Sequence, residues 1–366
     1  MADRPLRVLI AGGGTGGHLY PGIALAEEIK KTPGAEVLFV GTAKGLETKL
    51  VPAAGFPLEL MEVTGLKRTG VFAMLRGLSL LPKAFFRARR ILRKFRPDLV
   101  VGVGGYASGP LVFAAALTGY PTAIQEQNSK PGLTNRLLGR FVRRVFIAFE
   151  EAARSFARRK VRLVGNPVRE SFLAKVAAAG PALATPGRSI LIVGGSQGSH
   201  AVNEVTSTMI QVLKARGVLP PVLHQTGSGE IERMTLYYEA LGLSDKVTVR
   251  AFIDDMPAAL ADAALVIARA GALTLAELAI MGRPAVLIPL PTATDDHQTI
   301  NAMEFAQAGA AVVVPQYETH ATQLADIVAA LLSDPAKLAQ MGEAMRGLAK
   351  PAATQAIVTE LRALAT

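Results

Sequence analysis

The sequence predicts an α/β protein built as two wound halves, and three observations carry that expectation. Short, continuously apolar, β-branched runs alternate with helical patterns along the chain. The alternation lapses once, after Pro167 and through an Ala/Gly/Pro stretch at residues 174–188, and then restarts. Each half opens alike, with a strand running into glycines and then a helix: VLIAGGGTGGH at 8–18 and ILIVGGSQGS at 190–199. With 366 residues, 50% hydrophobic and 19% charged, the chain is long enough for two domains with substantial cores joined near residue 167.

In the first half, residues 6–11, 37–40, 99–103, 122–125 and 145–148 read as strands buried on both faces, because every position is apolar rather than every second one. Residues 99–125 carry no charge and are numerous enough to span a bilayer. Gly104, Gly105, Gly109, Pro110, Gly119 and Pro121 punctuate them, so the segment reads as strand, turn, helix, strand. In the second half, residues 189–193, 222–225, 247–250, 265–268, 285–289 and 311–314 are the expected strands, with helices between them. The apolar stretch before the first glycines is too short for a signal peptide, so the mature chain is expected to start here.

Composition removes several function classes. Zero cysteines exclude disulfides, thiolate metal sites and a Cys nucleophile. An aromatic content of 5% without Trp argues against a module built on aromatic platforms. The net charge of +11 is unevenly spread: residues 1–165 carry 26 basic and 11 acidic side chains, residues 166–366 carry 14 and 18. Only the first half is therefore expected to meet an anionic partner.

Glycine loops between a strand and a helix let the backbone approach a phosphate, and the helix start favours the anion. A dinucleotide fingerprint also needs an acidic residue ending the second strand, but the chain there reads Gly41, Thr42, Ala43, Lys44. Neither loop continues into Gly-Lys-Ser/Thr, so a Walker loop is absent as well.

Eight ordered segments resemble the MurG family of peptidoglycan glycosyltransferases. They are AGGGTGGHLYPGIALAE from Ala11, GVGGYASGP at 102–110, QEQNSKPGLTN at 125–135, GNPVRE at 165–170, GGSQGS at 194–199, FIDDM at 252–256, ARAGALTLAE at 268–277 and DDHQTIN at 295–301. The resemblance implies a GT-B architecture, two Rossmann-like doubly wound domains facing a cleft. Residues 1–166 would form the acceptor- and membrane-facing domain and 167–349 the UDP-GlcNAc-binding domain, with a C-terminal helix at about 350–366 returning to the first. It further implies inverting transfer of GlcNAc from UDP-GlcNAc to the muramyl 4-hydroxyl of undecaprenyl-pyrophosphoryl-MurNAc-pentapeptide. Rival readings are another UDP-sugar transferase of this architecture, a UDP-sugar epimerase, or a non-catalytic nucleotide-binding module.

Inversion at the anomeric carbon asks for a base, a means of holding the leaving UDP and a grip on the donor sugar. His18, ending the first glycine loop, is the candidate base, because imidazole titrates near pH 6.5; Glu126 is the second candidate. Thr15, Gly16 and Gly17 are carried over from the family motif as substrate-binding, and Asn128 is associated with the donor. Ser196, Gln197 and Gly198 are expected to offer N–H groups and a hydroxyl to the diphosphate, with Arg169 adding a fixed charge. Glu277 is assigned by the resemblance to the ribose hydroxyls and Ile253 to uracil. Ala272, Leu273, Thr274, Leu275 and Ala276 lie at the start of the same helix, and Gln298 and Asn301, three apart, share a face for sugar hydroxyls.

No cofactor is implied, and without an Asp-x-Asp motif no obligatory metal. The pairs Asp254/Asp255 and Asp295/Asp296 read as solvated loop residues or helix caps. Two positions depart from the family pattern. His297 stands where a second Gln is frequent, and Ser199 with His200 follow the second glycine loop.

Residues 66–96 hold ten basic side chains and no acid. Val71, Met74, Leu75, Leu78 and Leu81 fall on one helical face, with Lys67, Arg68 and Arg76 beside it. Ala84, Phe85, Ala88, Ile91, Leu92 and Phe95 form a second stripe, read as the core face of a helix. The first stripe is the expected contact with an anionic membrane surface, placing the protein peripherally at the cytoplasmic face of the cell membrane. No nucleic-acid-binding motif is present, so nucleic acid is not an expected partner.

Overall fold

The computed structural model describes residues 6–43, 45–62, 71–180, 183, 187–318 and 320–365, the side chains of 71–81 and of Thr294 excepted. The chain divides into two compact units, Met1–Arg169 with Ala352–Thr366, and Glu170–Pro351.

The first unit holds a parallel seven-stranded sheet in the order β3-β2-β1-β4-β5-β6-β7. Its strands are β1 (Arg7–Gly12), β2 (Glu36–Gly41), β3 (Leu58–Leu60), β4 (Leu99–Gly104), β5 (Thr122–Glu126), β6 (Arg144–Ile147) and β7 (Val161–Leu163). Helices α1 (Gly16–Lys30), α2 (Glu47–Ala53), α3 (Val71–Phe95), α4 (Ser108–Leu117) and α5 (Leu133–Leu138) connect them. The reason for the unbroken apolar runs is visible in β1. Val8 and Ile10 join one core with α1, while Leu9 and Ala11 join another with α3 and α4. With both faces covered, alternation has nothing to report.

The five strands expected in this half form, with ends shifted by a residue. Two more were missed. β3 and β7 have three residues each, are only partly buried and lie at the sheet edges, where polar side chains blur the apolar signature. The uncharged stretch 99–125 is β4, α4 and β5, and among the described residues no helix is long and apolar enough to cross a membrane. In α3, Ala84, Ala88, Ile91 and Leu92 are buried in the core and Phe85 and Phe95 pack against it, as the second stripe predicts. The first stripe and its basic neighbours lie outside the described side chains.

The second unit repeats the plan with α6 (Glu170–Ala179) and a six-stranded parallel sheet, β10-β9-β8-β11-β12-β13. The strands are β8 (Ser189–Val193), β9 (Val222–Gln225), β10 (Val247–Arg250), β11 (Ala263–Ala268), β12 (Ala285–Leu287) and β13 (Ala311–Val313). α7 (His200–Ala215), α8 (Ile231–Ala240), α9 (Met256–Asp262), α10 (Ala272–Met281), α11 (His297–Gln307), α12 (Ala321–Leu332) and α13 (Pro335–Gly347) complete it. β12 stops before Pro289, which has no N–H for a ladder.

The last helix, α14 (Ala353–Ala365), belongs to the first unit and packs on α1. Ile357, Val358 and Leu361 are at most 2% exposed within its core, and Glu360 on the outer side meets Arg144 at 3.2 Å and Arg162 at 3.5 Å. Burial and charge predict different magnitudes here. Ile357→Ala should destabilise the first unit by about 2–5 kcal/mol, whereas Glu360→Ala should cost no more than about 1 kcal/mol, since half-exposed ion pairs are weak. Urea unfolding with hydrogen exchange at α1 amides checks both; equal losses would reassign the anchoring to the ion pairs.

Candidate active site

All eight motif segments follow the C-terminal end of a parallel strand, after β1, β4, β5, β7, β8, β10, β11 and β12. In a parallel sheet those ends share one edge, and ligands bind there where the strand order reverses. The reversal falls between β1 and β4 in the first unit and between β8 and β11 in the second.

In the first unit, Thr15 caps α1 in an extended conformation, and the N–H groups of His18 and Leu19 bond to its carbonyl at 3.2 and 3.1 Å. Thr15 and Gly17 are exposed, Gly16 is buried and His18 is half-buried. The His18 Nδ1 lies 3.2 Å from Gln127 Oε1. Its ring backs onto Gly104, where φ is +97° and a Cβ would come within 2.5 Å of Nδ1, so only glycine admits the imidazole.

Glu47, at the start of α2, organises the glycine loop and was not singled out from sequence. Its carboxylate accepts from Gly14 N at 2.7 Å, Thr42 N at 2.7 Å and Thr42 Oγ1 at 2.8 Å, and it is fully buried. A Cβ on Gly13 would collide with it. Burial pushes the carboxyl up, but these hydrogen bonds outweigh burial and hold it below the usual glutamate value. The missing acid after β2 is thus present a few residues later, folded into the loop instead of offered to a ribose.

Glu126, the second candidate base, is held in a buried loop. It is 2% exposed and accepts from Asn128 N at 3.0 Å, Gly132 N at 3.3 Å and Asn135 Nδ2 at 2.9 Å. Burial raises its carboxyl above the ordinary value despite these bonds. Its work is to shape the loop that presents half-buried Asn128.

In the second unit, Ser196 and Gln197 are exposed in the turn before α7, but Gly198 N–H donates to Gly195 O at 3.0 Å, which removes it from the set expected to meet a diphosphate. Gln225, ending β9, ties the site together. Its Nε2 donates to Gly195 O and its Oε1 accepts from Ile253 N, each at 2.9 Å. Ile253 is thereby held beside the glycine loop, itself 8% exposed.

Arg169, expected to add a fixed charge, lies beside Tyr20. It ends the first unit, with its guanidinium 4.4 Å over the Tyr20 ring. The cation bonded to the second loop is Arg269, 7% exposed, which donates to Ser199 Oγ at 2.7 Å, Gln316 Oε1 at 2.6 Å and the carbonyls of Ile288 and Pro289 at 3.0 and 3.1 Å. These acceptors are neutral and leave its charge uncancelled at the reversal point. Its position at the end of β11, directly before the AGALT turn, was the signal available in the sequence.

Glu277 sits on α10 at 8% exposure. Thr274 and Ala276 are half-buried, and Ala272 and Leu273 are buried on the first turn. Leu275 is fully buried, with its N–H on Gly271 O at 3.0 Å. Gln298 Oε1 accepts from Leu290 N at 3.0 Å, directing its NH₂ as the remaining donor, whereas Asn301 has no exposed surface. Asp255 caps α9 through Ala258 N at 2.9 Å, and Asp296 accepts from Thr299 Oγ1 at 2.7 Å. Ser199 caps α7, and His200 pairs with Glu230 at 2.7 Å. His224 is a core histidine that burial pushes down to about 3.

Residues 8–147 match the glycosyltransferase family 28 N-terminal domain and residues 189–357 the C-terminal domain of the same family. The UDP-N-acetylglucosamine--N-acetylmuramyl-(pentapeptide) pyrophosphoryl-undecaprenol N-acetylglucosamine transferase of Anaeromyxobacter sp. (strain Fw109-5) is 49% identical over 354 residues, spanning 96% of this chain and 92% of its own. The crystal structure of Acinetobacter baumannii MurG superimposes with a TM-score of 0.76 at 32% identity, covering 98% of this chain and 100% of that one. The chain belongs to the MurG family within glycosyltransferase family 28. A UDP-GlcNAc 2-epimerase from Neisseria meningitidis shares the fold, with a TM-score of 0.69 over 98% of this chain and 100% of that one, at 13% identity.

The Glu47 geometry has a measurable consequence. Glu47→Ala should destabilise the first unit by about 2–4 kcal/mol, because buried N–H donors lose their acceptor at about 1–3 kcal/mol each. As the folded carboxyl lies below its unfolded value, this contribution is complete above the usual glutamate range and is lost as pH falls through the folded value. Urea midpoints of the parent and Glu47→Gln should therefore converge in acid; a pH-independent gap would contradict the ionised assignment.

Proposed function

We propose that the protein transfers N-acetylglucosamine from UDP-GlcNAc to the muramyl 4-hydroxyl of a lipid-linked pyrophosphoryl-MurNAc-pentapeptide, with inversion, as a step of peptidoglycan synthesis. The observation that carries this reading is the placement of all eight family segments at the C-terminal strand ends, together with near-complete coverage of a transferase at 49% identity.

In this reading the acceptor hydroxyl attacks the anomeric carbon while its proton passes to His18. The bond from that carbon to the diphosphate oxygen breaks, and its electron pair leaves with UDP. Thr15, Gly16 and Gly17 bind substrate beside the base, and Asn128 is assigned to the donor. Ser196 and Gln197 receive the diphosphate, and Arg269 supplies positive potential through a preorganised loop. Glu277 accepts the ribose hydroxyls, Ile253 lies against uracil, Ala272, Leu273 and Thr274 offer helix-start backbone, and Gln298 donates to the sugar. No metal is assigned a role.

Incubation with UDP-GlcNAc and the lipid acceptor should release UDP; a folded protein that releases none overturns the reading. His18→Ala should lower kcat by about 10²–10⁴ while UDP affinity holds. Glu277→Ala should do the reverse, weakening UDP by about 1.5–3 kcal/mol and erasing the disadvantage of a deoxyribose nucleotide.

For the membrane, the described residues offer a second apolar element. Phe86, 66% exposed, continues through Phe85 and Phe113 to Phe141, 49% exposed, in edge contacts of 6.0, 6.5 and 5.1 Å between ring centroids. Exposed Arg87, Arg90, Arg136, Arg140 and Arg143 neighbour it in sequence. At about 1 kcal/mol for each basic residue near an anionic surface, this supports peripheral attachment at the cytoplasmic face. Binding to anionic vesicles should fall steeply with salt, and Phe86→Ser with Phe141→Ser should remove what persists at high salt. Unchanged sedimentation of the double variant would move the contact elsewhere.

A further inference from the structure

Gln127 lies one residue from Asn128 in the QEQN segment, and its geometry determines something the family resemblance does not address. The side chain is 2% exposed. Its Nε2 donates to the carbonyl of Val103, at the end of β4, at 2.8 Å. Its own backbone carbonyl accepts from Asn166 Nδ2 at 3.1 Å, and Asn166 Oδ1 accepts from Gln125 Nε2 at 2.9 Å. Turning the amide over would set its oxygen against the Val103 oxygen, two acceptors without a proton between them. The orientation is therefore decided by chemistry: nitrogen toward Val103, oxygen toward His18.

An amide oxygen only accepts. The His18 Nδ1, 3.2 Å from it, must carry the proton, and in the neutral ring the lone pair then resides on Nε2. We propose that Gln127 is a positioning residue that locks neutral His18 in the Nδ1–H tautomer, so that Nε2 is the atom that takes the proton of the acceptor hydroxyl. The catalytic part rests on the reading of His18 as base; the tautomer stands on the hydrogen bonds alone. The partner is a neutral amide, not a carboxylate. It orients the imidazole without adding a negative charge beside Nδ1, while the adjacent Glu126 carboxylate is committed to Asn128, Gly132 and Asn135.

The ligand-free parent protein tests the tautomer directly. Nitrogen-15 NMR above the histidine titration range should show a pyrrole-like Nδ1 and a pyridine-like Nε2 for His18, assigned by the resonances that vanish in His18→Ala. The opposite pattern overturns the proposal whatever the role of His18. Gln127→Met keeps the length and removes the acceptor. It should mix the tautomers and lower kcat about 10²-fold, with the KM for UDP-GlcNAc unchanged. A Gln127→Met protein that stays folded and keeps the parent's tautomer removes Gln127 from the role. If His18→Ala keeps its kcat while the parent shows the expected resonances, the reading of His18 as base fails and the tautomer assignment stands.

Discussion

The arrangement of the first unit depends on one carboxylate placed where a glycine loop could otherwise take an anion. Glu47 accepts from Gly14 and twice from Thr42, joining the loops after β1 and β2. Without those acceptors the buried N–H groups would need water or a ligand. With them, the entry to α1 is fixed before any substrate arrives, and α1 carries His18. The same loop leans on the turn after β4, where Gly105 approaches Gly13 too closely for any side chain. Preorganisation of this kind lowers the ordering cost of binding at the loop.

The two units solve one problem with different parts. In the first, carboxyl side chains organise the loops: Glu47 the glycine loop, Glu126 the segment from Asn128 to Asn135. In the second, Arg269 and Gln225 do the joining, through carbonyls, a hydroxyl and amides. The inserted group is thus a carboxylate at Glu47 in the basic unit and a cation at Arg269 in the other.

Much of this was legible in the sequence for a physical reason. Strands covered on both faces are apolar throughout, and β8, buried at every position, was delimited to the residue; β9 and the edge strand β10 were marked instead by their β-branched and apolar residues Val222, Leu223, Val247 and Val249. The three-residue edge strands β3 and β7 are too short to leave a comparable trace. Motif residues at strand ends were legible because loop glycines mark where backbone must come close. What escaped were side chains whose role depends on distant partners. Glu47 is remote in sequence from Gly14, Gln127 from Val103 and His18, and Arg269 from Ser199. For Arg169 and Glu126 charge and motif membership were visible, but not the Tyr20 ring beside the one or the loop donors around the other.

The return of α14 to the first unit sets an order of events during synthesis. Residues 170–351 leave the ribosome as one uninterrupted unit and can fold as soon as they are out. The first unit, although made earlier, must wait with the apolar face of α1 uncovered until residues 352–365 are added. The amino-terminal half is thus the last to be completed. A chain that ends just after Pro351 keeps the second unit whole and leaves the first without α14.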